Sequence, residues 1–123
     1  MVIDTSAVIA ILLGEPEASR IAEAMAEDPN RLMSSFSLLE AGIVIEAKKG
    51  EAGGRELDLL VHRCEIEIIN FTGEQSELAR ACWRKYGKGR HKASLNIGGC
   101  CTYALSKLTN EPLLFKGDDF IYT

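Results

Sequence analysis

The first fourteen residues, "MVIDTSAVIAILLG" (1–14), combine a short apolar strand, an acid and a helix. Met1–Ile3 is apolar enough to lie inside a sheet, and Asp4 stands where that strand ends. "DTSA" offers a helix N-cap, and the spacing of "AVIAILLG" predicts a helix that stops at Gly14. A buried strand that leads directly into a helix is typical of the repeating unit of a parallel sheet.

The same alternation of strand and helix continues to the end of the chain. Further strands are predicted at "NRLMSS", "EIEIINF" and Leu113–Phe115. Helices are predicted at "EPEASRIAEAMAED", "SFSLLEAGIVIEAKKG", "GGRELDLLVHRC", "GEQSELARACWRKYG" and "CCTYALSKLTN", the last with Asn110 as its C-cap. The sequence therefore predicts an α/β fold, a single three-layer α/β/α domain over residues 1–123 with a central parallel sheet.

Length and composition fit one globular domain. The chain has 123 residues, of which 46% are hydrophobic and 26% charged, so it can bury a core without disulfides or a structural metal. The N-terminus lacks the basic region of a signal peptide, and no apolar run reaches the roughly 18–20 residues that span a bilayer. We expect a cytoplasmic protein whose four cysteines, none in a CxxC pair, are reduced and mostly buried.

Acidic residues fall where the predicted strands end. Asp4 follows the first strand, and Asp118 and Asp119 follow the last. Glu40 lies near the first turn of the helix after the second strand, and Gly99 opens the helix before the last one. Because function collects at the carboxyl ends of parallel strands, these positions are expected to converge, and clustered carboxylates suit Mg²⁺ or Mn²⁺.

Each acid also has a structural explanation that the sequence leaves open. Asp4 can serve as the N-cap of the first helix, and Glu40 can be a solvated acid near a helix start. Asp118 and Asp119 can be turn residues.

The net charge of −4 argues against a protein that binds nucleic acid by bulk attraction. A local patch is nevertheless present in "RKYGKGRHKA" (84–93), directly before the Gly99 position. Lys88, Arg90, His91 and Lys92 are candidates for RNA phosphate contacts, and Tyr86 for stacking on an unpaired base. The alternative is a solvated basic loop.

Four segments, in order along the chain, resemble PIN-domain toxins of the VapC type, the ribonuclease half of a toxin–antitoxin pair. They are "MVIDTSA", "RLMSSFSLLEAGIVIEAKKGEAGGRELD", "YGKGRHKASLNIGGC" and "PLLFKGDDF", and together they cover essentially the whole chain. The resemblance implies a Mg²⁺-dependent endoribonuclease, with Mn²⁺ as a possible substitute, that inhibits translation. It also implies a homodimer and a VapB-type antitoxin whose C-terminal segment covers the cleft. "AVIAILL" and "LLEAGIVIEA" carry surplus apolar surface for a dimer interface or such a groove.

The resemblance also assigns site residues. The family's first two acids correspond to Asp4 and Glu40, and its fourth to Asp119, with Asp118 in a variable slot. Ser6 and Asn96 are expected to orient ligands or water, as is Thr5 beside the first acid. Similar proteins continue a little beyond the point that matches Thr123, into a last short strand.

One position departs from the family pattern. The third acid belongs to an N-x-G-D-C motif, which here reads Asn96-Ile97-Gly98-Gly99-Cys100, so Gly99 stands where an aspartate is expected. We expect weaker metal binding and a loss of hydrolysis on the order of 10²-fold, by analogy with removal of other transition-state stabilisers. Gly99 is either an inactivating substitution, introduced or selected, or natural variation in a decayed or regulatory copy.

Two other functions compete with an active nuclease. One is a catalytically inactive protein that keeps the fold and binds the antitoxin. The other is a phosphatase- or receiver-like domain with Asp4 as a phosphorylated nucleophile, which requires a lysine and a second acid that the sequence supplies poorly.

Overall fold

The computed structural model describes residues 1–87 and 95–117. In chain order the elements are β1 (Val2–Ile3), α1 (Thr5–Leu12), α2 (Ala18–Glu27), β2 (Leu32–Ser34), α3 (Ser35–Arg63), β3 (Glu67–Ile69), α4 (Gly73–Tyr86), α5 (Ile97–Thr109) and β4 (Leu113–Leu114). Among the described residues, no helix has the length and apolar character needed to cross a membrane.

The strands form one parallel sheet in the order β3–β2–β1–β4, which confirms the predicted α/β architecture. Val2 of β1 is in register with Leu32 on one side and Leu113 on the other. The connections after β1 run towards β3, whereas β4 returns to the opposite side of β1. The end of β1 is therefore the point where the strand order reverses, and ligand sites of open α/β sheets lie at such points.

The core is built around this central strand. Val2 and Ile3 are fully buried, as are Ala7, Val8 and Ala10 of α1. One apolar cluster joins α1, α2 and α3 to the sheet, and a second joins α4 to α5. Most of the apolar surface of α1 is thus covered by its neighbours. The additional apolar surface that the sequence predicts for "AVIAILL" therefore lies largely within the core of this chain.

Several element boundaries differ from the prediction for local reasons. The second helix begins at Ala18, so Pro16 lies before it and not in its first turn. Helix α5 begins at Ile97 and not at the predicted Cys100. The Asn96 side chain accepts a hydrogen bond from the Gly99 N–H and so caps the helix three residues earlier. Asn110 ends α5 in the left-handed region at φ 57°, as predicted.

The predicted stop at Gly50 appears as a sharp kink within α3. Gly50 has φ 68° and ψ −164°, a conformation open to glycine at little cost. It divides α3 into two arms that fold back on each other, with Leu57 of the second arm near Gly42 of the first. The four cysteines are free thiols: Cys82, Cys100 and Cys101 are buried and Cys64 is half-buried, as expected.

Candidate active site

Asp4 lies at the end of β1 and performs two tasks. Its Oδ2 accepts a hydrogen bond from the Ser6 N–H at 3.0 Å, so the N-cap interpretation is correct. Its Oδ1 accepts from the Thr102 hydroxyl at 2.6 Å. The residue is only 7% exposed, yet its side chain lines an open cleft. Because a carboxylate has about four acceptor sites, two hydrogen bonds leave lone pairs available to a cation.

Glu40 lies near the start of α3, which begins at Ser35, and is half-buried. Its Oε1 accepts a hydrogen bond from the Thr5 hydroxyl at 2.7 Å. The same hydroxyl lies 3.2 Å from the Ser37 carbonyl oxygen. Thr5 therefore ties the second acid to the residue that follows Asp4, and the two carboxylates are held at the same edge of the sheet.

The first turn of α5 completes the cleft, and its two glycines have different roles. A Cβ at Gly98 would lie 2.7 Å from Glu40 Oε2 and 2.8 Å from its Cδ, so a glycine here lets the carboxylate lie against the helix end. The positive end of the helix dipole favours a carboxylate in that place. A Cβ at Gly99 would meet nothing closer than 3.4 Å, at Asn96 Oδ1 and Leu95 Cδ2. The Cβ of an aspartate at position 99 therefore fits at ordinary contact distances.

The cleft has a volume of about 260 Å³. It brings together six of the predicted site residues, Asp4, Thr5, Ser6, Glu40, Asn96 and Gly99, with two others, Ile9 and Val44. Asp118, Asp119 and the basic residues Lys88, Arg90, His91 and Lys92 lie outside the described residues, and their assignments stay predictions.

Ser6 and Asn96 are positioned by backbone contacts. The Ser6 hydroxyl accepts a hydrogen bond from the Lys116 N–H at 2.9 Å, which fixes the chain beside the cleft shortly after β4. Lys116 is held a second time, because its Nζ lies 2.9 Å from Glu15 Oε2. This ion pair raises the pKa of Lys116 above its usual value. The side-chain oxygen of Asn96 is occupied by the Gly99 N–H at 2.8 Å.

Thr102 is a site residue that the sequence prediction missed. It is fully buried and donates the shorter of the two hydrogen bonds to Asp4. Its oxygen lies 3.4 Å from the Ser37 hydroxyl, and since its own proton is directed to Asp4, Ser37 is the donor of that contact. Thr102 follows Gly98 and Gly99 by four and three residues, so helix spacing places all three on one face.

The prediction for Tyr86 needs correction. Its side chain is only 9% exposed, and its ring lies 5.7 Å from that of Tyr103. Such a ring is not presented to an unpaired base. The exposed aromatic residue of α4 is Trp83, one turn earlier and 43% exposed.

The oxygen atoms in the cleft are of the type that a hard divalent cation prefers, but few of them are carboxylates. Carboxylate and hydroxyl oxygens are the ligands that Mg²⁺ prefers, and the cleft offers them from Asp4, Glu40 and the flanking hydroxyls. Within residues 1–87 and 95–117, no group of three or more His, Cys, Asp or Glu side chains converges in a way that could hold a metal ion. Gly99, where the family resemblance predicts a third acid, lines the same cleft as Asp4 and Glu40.

Comparison with known proteins identifies the family. The PIN domain family matches residues 1–123. The chain belongs to the PIN domain family. PIN relatives include "Ribonuclease VapC30" of Mycobacterium tuberculosis (strain ATCC 25618 / H37Rv), which is 53% identical over all of this chain and 94% of its own. "Ribonuclease VapC" of Mycolicibacterium smegmatis is likewise 53% identical, over all of this chain and 95% of its own.

Solved structures show the same PIN fold at lower identity. Mycobacterium tuberculosis VapC20, described as a sarcin–ricin loop cleaving toxin, aligns with a TM-score of 0.79 at 14% identity, covering 98% of this chain and 92% of its own. A toxin–antitoxin complex from Klebsiella pneumoniae aligns with a TM-score of 0.68 at 19% identity. The alignment covers 91% of this chain and 82% of the chain in that complex. At these identities the likeness supports the fold alone.

Proposed function

We propose that this chain is a VapC-type endoribonuclease toxin, a Mg²⁺-dependent hydrolase that cuts RNA phosphodiesters in the cytoplasm and so inhibits translation. The observation that carries the proposal is the convergence of Asp4 and Glu40 in one cleft at the end of β1. It is supported by 53% identity, over the full chain, to proteins named VapC ribonucleases. We include Asp119 as a further acid of this site on the basis of the sequence pattern alone.

The chain's own residues have distinct tasks in this mechanism. Asp4 and Glu40 would hold the divalent ion on which PIN-domain VapC nucleases generally depend, with Mn²⁺ as an alternative to Mg²⁺. When bound, the ion supplies positive charge at the scissile phosphate and lowers the pKa of a water molecule. Thr102 and the Ser6 N–H fix the Asp4 carboxylate, and Thr5 fixes that of Glu40. These hydrogen bonds keep both acids in place before substrate arrives.

Gly99 impairs this copy. The position faces the cleft, and an aspartate Cβ fits there, but glycine supplies neither the oxygen ligand nor its negative charge. Water can replace the oxygen but not the charge. We expect this chain to cut RNA on the order of 10²-fold more slowly than its Gly99→Asp variant.

The test is cleavage of a mixed tRNA, rRNA and mRNA pool in Mg²⁺ and in Mn²⁺. Gly99→Asp should cut, and this chain should cut poorly. Gly99→Asn is the matched control, because it restores the shape of the side chain without its charge. Asp4→Asn in the Gly99→Asp background keeps an oxygen for the helix cap and should abolish cutting.

Two results would contradict the proposal in different ways. Equal cutting by this chain and by Gly99→Asp would show that the third carboxylate is dispensable. Absence of cutting by either protein on any RNA of the pool, with the variants folded by circular dichroism, would remove the ribonuclease assignment itself.

A second candidate function is antitoxin binding without cutting, and Gly99 favours it. Next to Glu40, α3 exposes Leu39 by 61% and Ile43 by 63%, beside a hollow of about 260 Å³ that Phe36 and Val44 also line. An amphipathic segment of a VapB-type antitoxin suits this stripe, since its apolar residues can enter the hollow. An arginine at its end can then pair with the acids.

Metal titration separates the two functions. A binding-only protein should show weak or undetectable Mn²⁺ binding by calorimetry, and Gly99→Asp should bind more tightly. Equal, tight binding by both proteins would remove the reason to consider this copy inactive. We also propose a homodimer, as the family resemblance implies, and sedimentation velocity at micromolar concentration tests it directly.

A further inference from the structure

A hollow beside the acid cleft has no role in the proposed chemistry. It has a volume of about 500 Å³, within the range of small-molecule sites, and lies between the start of α3, the outer face of α4 and the first turn of α5. Its walls are mainly aromatic and aliphatic, and they include Phe36, Phe71, Trp83 and Ile97. We call it the aromatic pocket.

The aromatic pocket and the acid cleft are neighbours on α5. Asn96 lines both of them, while Ile97 and Cys100 face the pocket and Gly99 faces the cleft. These residues belong to one turn of one helix, so the two openings lie within about one helix diameter, 10–12 Å, of each other. A strand whose phosphate reaches Asp4 therefore passes the mouth of the pocket within a nucleotide or two.

The chemistry of the lining suits a nucleobase. Trp83 is 43% exposed and Ile97 67% exposed, so both present apolar surface to solvent at the rim. Phe36 and Phe71 meet edge to face, with ring centres 5.8 Å apart, and form the inner wall. Arg80 and Ser76 supply polar groups one turn apart on α4, and Asn96 supplies an amide. Arginine planes and aromatic rings are the surfaces on which unpaired RNA bases stack.

Charge favours the same occupant. The net charge of the chain is −4, yet within residues 1–87 and 95–117 the side chains that line the pocket include one cation, Arg80, and no carboxylate. The guanidinium of Arg80 therefore favours an anionic strand at this opening. Burial also raises the pKa of Cys101 in the pocket wall to about 12, with smaller contributions from the charges of Cys100 and Glu40, so that thiol is neutral at physiological pH.

We infer that the aromatic pocket is the subsite for one unpaired nucleobase next to the scissile phosphate, with Trp83 as its stacking platform. The inference rests on the proposed ribonuclease function and goes beyond it, because it names the residues that choose which nucleotide flanks the cut. Trp83 thus replaces Tyr86, the residue that the sequence analysis proposed for stacking on an unpaired base.

Trp83 is the single tryptophan of the chain, so its fluorescence reports on the pocket directly. In EDTA, a single-stranded RNA hexamer of mixed sequence should quench Trp83, and the same hexamer made fully abasic should not. By anisotropy of fluorescein-labelled hexamer, Trp83→Leu should weaken binding about 5- to 150-fold, the range of one stacked base. Trp83→Phe should retain most of the affinity. Leu108→Ala is the matched control, since Leu108 is 44% exposed and lies outside the pocket.

Cleavage gives the second measurement. In the Gly99→Asp background, Trp83→Leu should alter which nucleotide is found next to the cut, whereas Leu108→Ala should not. Equal quenching by the abasic hexamer, or unchanged affinity and cut sites in Trp83→Leu, would overturn the inference. So would Trp83 emission that responds to protein dilution but not to RNA, because a second copy would then cover the pocket.

Failure of the subsite and failure of the nuclease are distinguishable. If Gly99→Asp cuts RNA and Trp83→Leu changes nothing, the nuclease stands and the subsite is refuted. If neither this chain nor Gly99→Asp binds or cuts RNA, the proposed function fails and the subsite is refuted with it.

Discussion

The two adjacent glycines at the start of α5 give the sharpest test of the site geometry. Replacing either one by alanine adds a single methyl group to the same helical turn. At position 99 the methyl makes ordinary contacts of 3.4 Å and longer. At position 98 it comes within 2.7 Å of Glu40 Oε2, so the carboxylate must turn away and lose the 2.7 Å hydrogen bond from Thr5.

The magnitudes follow from these contacts. Alanine is favoured over glycine in a helix by about 0.5–1 kcal/mol, and by less in a first turn. A hydrogen bond to a charged group contributes about 1.5–3 kcal/mol, and the lower end suits Glu40 because it is half-buried. Gly99→Ala should therefore stabilise the fold by about 0.5 kcal/mol, and Gly98→Ala should destabilise it by about 1 kcal/mol. The expected difference in free energy of unfolding is roughly 1.5 kcal/mol.

Urea unfolding followed by circular dichroism measures this difference, and Glu40→Ala supplies the control. In that background no carboxylate stands against position 98, so Gly98→Ala and Gly99→Ala should become equivalent. The reasoning is refuted if Gly98→Ala stabilises as much as Gly99→Ala while Glu40 is present. It is equally refuted if the 1.5 kcal/mol difference persists after Glu40 is removed.

Three further outcomes are expected. Thr102→Val should destabilise the fold by about 1.5–3 kcal/mol in urea unfolding, because it leaves the buried Asp4 oxygen without its 2.6 Å donor, whereas Thr102→Ser should recover most of that loss. Asn96→Ala should cost about 0.5–2 kcal/mol through loss of the α5 cap, a prediction that unchanged stability would contradict. Maleimide at pH 8 should label the half-buried Cys64 of the native protein and spare Cys101, because a pKa of about 12 leaves roughly 10⁻⁴ of Cys101 as thiolate. Mass spectrometry of the labelled protein measures this difference. Rapid labelling of Cys101 would contradict the prediction and show that the α4–α5 core opens.

The sequence alone was sufficient for the architecture and for most of the cleft. Short apolar runs bounded by caps and glycines predicted the alternation of strands and helices, because burial and capping act over a few residues. Asp4 and Glu40 were placed correctly because the carboxyl ends of parallel strands must share one edge. Resemblance then singled out Gly99, and the structure places that position in the same cleft.

Other features depend on contacts between distant segments, which no local pattern contains. Thr102 reaches Asp4 across 98 residues, and Gly98 is needed only because Glu40 of another helix lies against it. Tyr86 looked like an exposed ring in a basic stretch, but packing of α4 on α5 buries it and exposes Trp83 instead. The sequence thus determined which residue types stand at the ends of the strands. Tertiary packing decided which side chains orient the acids and which aromatic ring faces the solvent, because both are set by the way the helices lie against one another.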